Sequence, residues 1–286
     1  MKISNVIVTA RLGGLDVMVN AFLQQTMPVT DWELIVIDEF YADRKDLLAK
    51  VDLPIRHYPA PSVDDFYDNT RALNVGATYC AGELVTYLTD YCWVYPEYLD
   101  THWRWYERLG CGMTHYLDRY APPPLHTDSD QRWTVFEREF NAVFAKEYFD
   151  KHTPEYQERK GRLFGQEIEF GLWEIPGHVI YFIGDSIPLV LLKTLNGWDQ
   201  QYDGGRGIND IDLAVRANAL GWRWVLNVRY LLYKLGTQES LKAIPKRGKP
   251  YTRTSDENYQ LYLARINAIN AGLESIVTPI GRGAWS

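Results

Sequence analysis

The chain has 286 residues, 46% of them hydrophobic and 23% charged, long enough to bury about three-quarters of its surface and too ordinary in composition for a collagen-like, coiled-coil or wholly disordered chain. Thirty Lys and Arg stand against 37 Asp and Glu, a net charge of -7, which argues against a broad nucleic-acid surface. Ten Trp and 20 Tyr admit two readings, a large aromatic core or a site that stacks on flat ligands such as bases and sugar rings.

In chain order, Ile3 to Thr9 is rich in β-branched residues and predicts a buried strand. Gly13 and Gly14 turn the chain into Leu15 to Met27, where Leu15, Val19, Phe22 and Leu23 keep helical spacing and Pro28 closes the helix. Trp32 to Ile37 predicts a second strand ending at Asp38-Glu39, Asp43 to Lys50 a short helix, and Pro54 to Tyr58 a third strand. Asp64 to Cys80 reads as a helix and Gly82 to Thr89 as a fourth strand. Strands alternating with crossover helices imply an α/β fold with a parallel sheet covered on both faces. Ligands of such sheets lie beyond the carboxyl ends of the strands, so Asp38 and Asp90 are expected to line one crevice.

The middle is less regular. Thr101 to Gly110 predicts a Trp-rich helix, Ala121 to Asp130 a loop, and Phe136 to Lys151 a further helix. Gly177 to Ile183 and Leu189 to Leu195 resume strand and helix signals. Asp210 to Leu220 begins with acids and ends before Gly221, as helix dipole and capping favour. Trp222 to Tyr233 is strand-like. A basic run from Lys242 to Arg253 precedes a helix opened by a capping box at Thr254 and Glu257. No repeat and no linker divides the chain, so one compact domain is expected.

Cys80, Cys92 and Cys111 form neither a disulfide framework nor a zinc pattern, and a reduced, cytoplasmic protein is the expectation. No apolar run approaches the roughly 18 residues of a membrane span. Val6 to Ala10, interrupted by Arg11, is too short for a signal peptide.

Chemistry concentrates in three places. Asp38-Glu39 and Asp90 end strands, where a carboxylate accepts hydrogen bonds from a base or from ribose hydroxyls and serves equally as a turn acid. Gly204-Gly205-Arg206-Gly207 precedes Asn209-Asp210-Ile211-Asp212. Glycines let backbone approach a ligand closely, and acids at a helix start are also ordinary dipole partners.

Three blocks together resemble the inverting glycosyltransferases of GT-A fold, close to glycosyltransferase family 2. The first is Val6 to Arg11, then Gln25, then Leu34 to Glu39. The second is Arg71 to Gly76, Ala81 to Tyr91, and Pro96. The third is Gly184 to Ser186, Asn196 to Asp199, and Gly205 through Asn209-Asp210-Ile211-Asp212-Leu213 to Arg216. Residues 100–176 match nothing in that pattern. The resemblance implies a Rossmann-like, mostly parallel sheet, with residues 1–100 binding the nucleotide sugar, 101–236 binding the acceptor, and 237–286 forming a basic loop and a C-terminal helix. It implies donor contacts at Thr9, Ala10, Arg11, Asp38, Arg71, Asn74, Asp90 and Lys234. Acceptor contacts are implied at Trp198, Gly205, Asn209 and Asp212, with Asp210 as catalytic base. The implied partners are a nucleotide-sugar donor, with UDP as the nucleotide most such relatives use, and a carbohydrate or other hydroxyl acceptor.

The departures from that pattern concern the metal. Thr89-Asp90-Tyr91 stands where Asp-x-Asp is usual, Asn209-Asp210 where Glu-Asp is common, and Lys234 near a usual histidine. Mn²⁺ and Mg²⁺ need several oxygen ligands, and this site keeps Asp90 alone. Weak metal dependence is expected, with Lys234, Lys242, Lys246, Arg247, Lys249 and Arg253 meeting the diphosphate. The rival is Mn²⁺ held by Asp90 and the phosphates. Two other functions compete with transfer. One is a catalytically inactive nucleotide-sugar-binding protein. The other is a nucleotidyltransferase, for which Arg11-Leu12-Gly13-Gly14 is only a faint phosphate loop.

Overall fold

A computed structural model describes residues 1–10, 15–61, 69–90, 92–118, 167–169, 171–180, 184–205, 207–234 and 252–285. The elements predicted over Ala121–Asp130 and Phe136–Lys151 lie outside the described residues, as do Arg11, Gly13, Gly14, Tyr91, Arg206 and the basic run up to Lys249.

The first half builds a sheet from β1 (Ile3–Thr9), β2 (Trp32–Asp38), β3 (Ile55–Pro59) and β4 (Leu84–Thr89). The connections carry α1 (Leu15–Leu23), α2 (Tyr41–Leu48) and α3 (Asn69–Tyr79). Strand order is β3-β2-β1-β4, all parallel, and β9 (Asp185–Pro188) closes the far edge antiparallel to β4. Period-two alternation sorts the side chains. Ile3, Ile7, Leu34, Val36, Leu84 and Leu88 pack with Met18, Val19 and Phe22 of α1 on one face. Val6, Ile35, Ile37, Val85 and Tyr87 pack with Ala72 and Ala77 of α3 on the other. Strands buried on both faces read as continuous apolar runs, which is why this half was legible in sequence.

A second sheet follows the order β5 (Cys92–Trp93), β10 (Trp224–Lys234), β8 (Leu172–Ile175), β7 (Glu167–Glu169), with β6 (Gly112–Asp118) also beside β10. The flanking helices are α4 (Tyr98–Leu109), α5 (Leu189–Thr194), α6 (Asn209–Ala219) and α7 (Ser255–Asn270). The capping box of Thr254 and Glu257 opens α7 as predicted.

Two expectations change. The strand predicted from Gly177 is a 3₁₀ turn over Gly177–Val179. A Cβ on Gly177 would lie 2.7 Å from the Ala214 carbonyl oxygen, and its N–H donates to Asn218 at 2.6 Å, so the glycine docks a turn onto α6. Helix α1 ends at Leu23 rather than Met27. Gln25 turns away to donate to the Tyr95 carbonyl at 2.9 Å and accept from Leu99 N–H at 3.0 Å. The aromatic wealth goes largely into the core, with Trp32, Trp93, Trp198 and Trp224 fully buried. None of the three cysteines forms a disulfide. Among the described residues no helix is long and apolar enough to cross a membrane.

Candidate active site

In a parallel sheet a crevice opens where neighbouring strands send their connections to opposite sides. Here that place is between β1 and β4, since β1 leads to β2 on one side while β4 pairs on the other. The register puts Val8 beside Thr89, so Thr9 and Asp90 lie level at the crevice. The Thr9 hydroxyl donates to Asp90 Oδ2 at 3.4 Å and the Ala10 N–H donates to the same oxygen at 3.3 Å. Three of the residues expected to bind the donor therefore meet at one point, around a carboxylate that is largely buried but not sealed, at 9% exposed.

Asp38 pairs in register with Thr9, yet its carboxylate serves the protein. Oδ1 accepts from the Phe40 N–H at 2.7 Å and from Arg44 at 2.9 Å, and Oδ2 lies 3.0 Å from His57 Nε2. It is 1% exposed. The carboxylate thus braces β2, α2 and β3, and a nucleoside contact there requires Arg44 or His57 to give way.

Asn74, also expected at the donor, has partners within the protein. Its amide donates to the Trp198 carbonyl at 2.8 Å and accepts from the Trp198 N–H at 2.9 Å. Gly197 permits this approach, with φ at +70° and a Cβ that would stand 2.5 Å from Asn74 Oδ1. Trp198, expected at the acceptor, is wholly buried, edge-on to Tyr87 with centroids 4.3 Å apart. Arg71 lies in the first turn of α3, and the Asp203 carboxylate accepts from the Thr70 and Arg71 N–H groups at 2.7 and 3.1 Å. A helix start normally leaves such donors orphaned; here a loop 130 residues away caps them.

On the acceptor side, Asn209 and Asp210 open α6 and are partly exposed. Asp210 Oδ1 accepts from the Ile211 N–H at 2.9 Å. Asp212 points inward instead. It accepts from Arg216 at 2.8 Å, from Tyr202 Oη at 3.1 Å and from Arg265 at 3.4 Å, fully buried. Asp212, expected at the acceptor, anchors the first turn of α6 through these bonds. Burial, followed by the adjacent Asp212 charge, holds the Tyr202 phenol above its ordinary pKa. Gly205 lies against Asn258, whose Oδ1 a Cβ would meet at 2.2 Å. Gly205, expected at the acceptor, leaves no room for a side chain beside Asn258. Ile208, the residue before α6, has φ +76°, a conformation costing a β-branched residue about 1–3 kcal/mol.

Lys234 pairs through its backbone with Cys92, two residues past Asp90, which brings its chain position beside the crevice. The Arg253 guanidinium donates through Nη2 to the carbonyls of Gln201 and Asp203. Among the described residues no three His, Cys, Asp or Glu side chains converge as a protein-built cation cage requires; Asp90 is the single carboxylate at the crevice that matches the expected motif. Asp203 and Asn258 carry no site signal in the sequence, and Arg253 reads there only as the end of a basic run. An acid before two glycines reads as a turn, and the capping box drew attention to Thr254 instead of its neighbours.

No family model matches the sequence, and no curated protein matches it. Solved structures do match in shape. Staphylococcus aureus TarS 1-349 in complex with UDP superposes with a TM-score of 0.52 over 82% of this chain, at 13% identity. The mannosyltransferase PcManGT from Pyrobaculum calidifontis, in complex with GDP-Man and Mn²⁺, superposes with a TM-score of 0.56 over 97% of this chain, also at 13% identity. The chain has a GT-A fold. It spans 60% of the TarS chain and 66% of the mannosyltransferase chain. In this GT-A fold the crevice end of β1 and β4 carries Thr9, Ala10 and Asp90, and the start of α6 carries Asp210.

Proposed function

We propose that the chain is an inverting glycosyltransferase that moves a sugar from a nucleoside-diphosphate sugar to a hydroxyl acceptor. The observation that carries this reading is the convergence of Thr9, Ala10 and Asp90 at the switch-point crevice of a GT-A fold. TarS 1-349 has been solved with UDP-GlcNAc and with UDP, which supports a UDP-sugar as the donor.

In the proposed mechanism Asp90 orders the end of β1 against the donor ribose and diphosphate. Asp210 removes the acceptor hydroxyl proton as general base. The freed oxygen lone pair forms the new bond to the anomeric carbon from the face opposite the nucleotide. The bond from that carbon to the phosphate oxygen breaks, and the nucleoside diphosphate leaves with its electrons, inverting the centre. The leaving group carries developing negative charge that fixed cations stabilise. Lys234 and the run Lys242, Lys246, Arg247 and Lys249 are proposed for that task. A bound Mn²⁺ or Mg²⁺ would supply the same charge, resting on Asp90 and the diphosphate.

The test is a thermal-shift panel of nucleotides and nucleotide sugars, followed by product analysis. Ligand at about 100 times its Kd adds about 2.7 kcal/mol, which is several degrees of melting temperature for a chain this size. UDP and a UDP-sugar are expected to give that shift, and the product is expected to have an inverted anomeric centre. A panel in which no nucleotide shifts the melt would overturn the reading. Binding without any turnover would favour the inactive binding protein.

A further inference from the structure

The residue proposed as base follows a turn whose shape its own sequence does not secure. Gly204 and Gly207 have φ of +79° and +70°, and Ile208 has φ +76°. Ile208 is the N-cap of α6, and no side chain caps the helix there. Support comes from the segment leading into α7. Arg253 donates to the carbonyls of Gln201 and Asp203. The N–H groups of Thr252 and Arg253 donate to the Gly204 carbonyl at 2.7 and 2.9 Å. Asn258, fully buried, donates through Nδ2 to the carbonyls of Tyr202 and Gly207 at 3.2 and 3.1 Å. Left-handed backbone at a β-branched residue persists only where its surroundings impose it.

We infer that Arg253 and Asn258 are positioning residues, which hold Asp203–Gly205 and Gly207–Ile208 in the strained form that aims Asp210 at the acceptor. This rests on the reading of Asp210 as base. The same turn offers the Asp203 carboxylate to the N-terminus of α3, so fixing it registers the acceptor-side loop against a helix of the donor half. Small displacements of a catalytic group have large rate effects, which gives a hydrogen-bond set at this place leverage beyond stability.

Arg253→Ala is the main variant, since Arg253 is only partly buried whereas Asn258→Ala would also open a hole under Gly205. Three quantities are measured: amide exchange of the Gly204–Asp210 segment, UDP affinity by calorimetry, and UDP release from UDP-GlcNAc. In Arg253→Ala, exchange across Gly204–Asp210 is expected to rise at least about tenfold, UDP affinity to hold within about twofold, and turnover to fall roughly 10- to 100-fold. Glycine adopts positive φ without a steric cost. Ile208→Gly placed in the Arg253→Ala background is therefore expected to recover most of the lost turnover. A purely structural role for Arg253 would not be rescued by removing another side chain. Unchanged exchange in Arg253→Ala overturns the inference, as does faster exchange with full turnover or a double variant no better than the single. A wild-type chain that binds UDP but releases none from UDP-GlcNAc fails the glycosyltransferase reading instead, and the exchange comparison alone then decides whether Arg253 holds the turn.

Discussion

Two acids of similar appearance in the sequence, Asp210 and Asp38, have opposite settings. Asp210 is partly exposed at the first turn of a helix, where a base must meet an acceptor from solvent. Asp210→Asn is expected to lower transfer by about 10²–10⁴-fold while donor affinity stays nearly intact, because a general base acts on the acceptor proton and adds little to ground-state binding. Donor titration beside single-turnover kinetics checks this; affinity lost with turnover preserved would mean the role is misassigned. Asp38 is sealed between Arg44 and His57. Removing one partner of a buried ion pair leaves the other charge uncompensated, at about 3–5 kcal/mol. Asp38→Asn is therefore expected to reduce stability by about that much in denaturant melts. A normal melt with a collapsed donor affinity would restore the nucleoside role.

At the scale of elements, α4, β6 and β9 enclose a polar pocket among apolar neighbours. His115 lies 2.8 Å from Tyr95 Oη and 3.1 Å from the Gly184 carbonyl oxygen. His102 lies beside it with ring centroids 4.9 Å apart, and neither His102 nitrogen has a hydrogen-bond partner among the described residues. Burial holds both imidazoles neutral, His115 down to about 4 and His102 well below its usual value, the latter helped by its neighbour. Unfolded histidines take up protons near pH 6.5. The unfolded chain thus binds more protons between about pH 6.5 and 4, and stability is full above that window and falls as pH drops through it. Each histidine contributes a slope of up to about 1.4 kcal/mol per pH unit. Thermal melts from pH 7 to 5 are expected to show this fall, and His102→Gln to flatten it. An undiminished slope in the variant would exclude His102 as a source. The strand β6 that carries His115 was not anticipated, because polar residues such as Thr114 and His115 break the apolar alternation that marks a strand from sequence.

At the scale of the whole molecule, the halves meet through side chains far apart in sequence. Asn74 grips Trp198, Asp203 caps α3, and Arg265 joins Asp199 to Asp212. The charge proposed for a departing diphosphate also depends on the whole molecule, because it is the pairing of β10 with β5 that sets Lys234 beside Cys92 in the chain register. Release of UDP is expected to persist in excess EDTA and to fall about tenfold or more in Lys234→Ala with Mn²⁺ present, on the scale of one lost transition-state donor. Complete loss in EDTA with an unaffected Lys234→Ala enzyme would assign that charge to the metal. The sequence by itself determined the parallel sheet, the ends of β1 and β4, and the helix read from Asp210 to Leu220, which runs Asn209–Ala219, since strand burial on two faces and helix capping are local patterns of period and residue type. Only the tertiary structure decided what the motif residues touch. Asp38, Asn74, Trp198, Gly205 and Asp212 have the chemistry of ligand contacts, yet each meets a partner from another element. Asp203 and Asn258 have no local signature, and Arg253 reads only as the end of a basic run; their hydrogen bonds exist because folding brings the start of α7 onto the turn before Asp210. A hydrogen-bond partner tens of residues away leaves no periodicity in the chain, so which carboxylates remain open to a ligand is settled by packing.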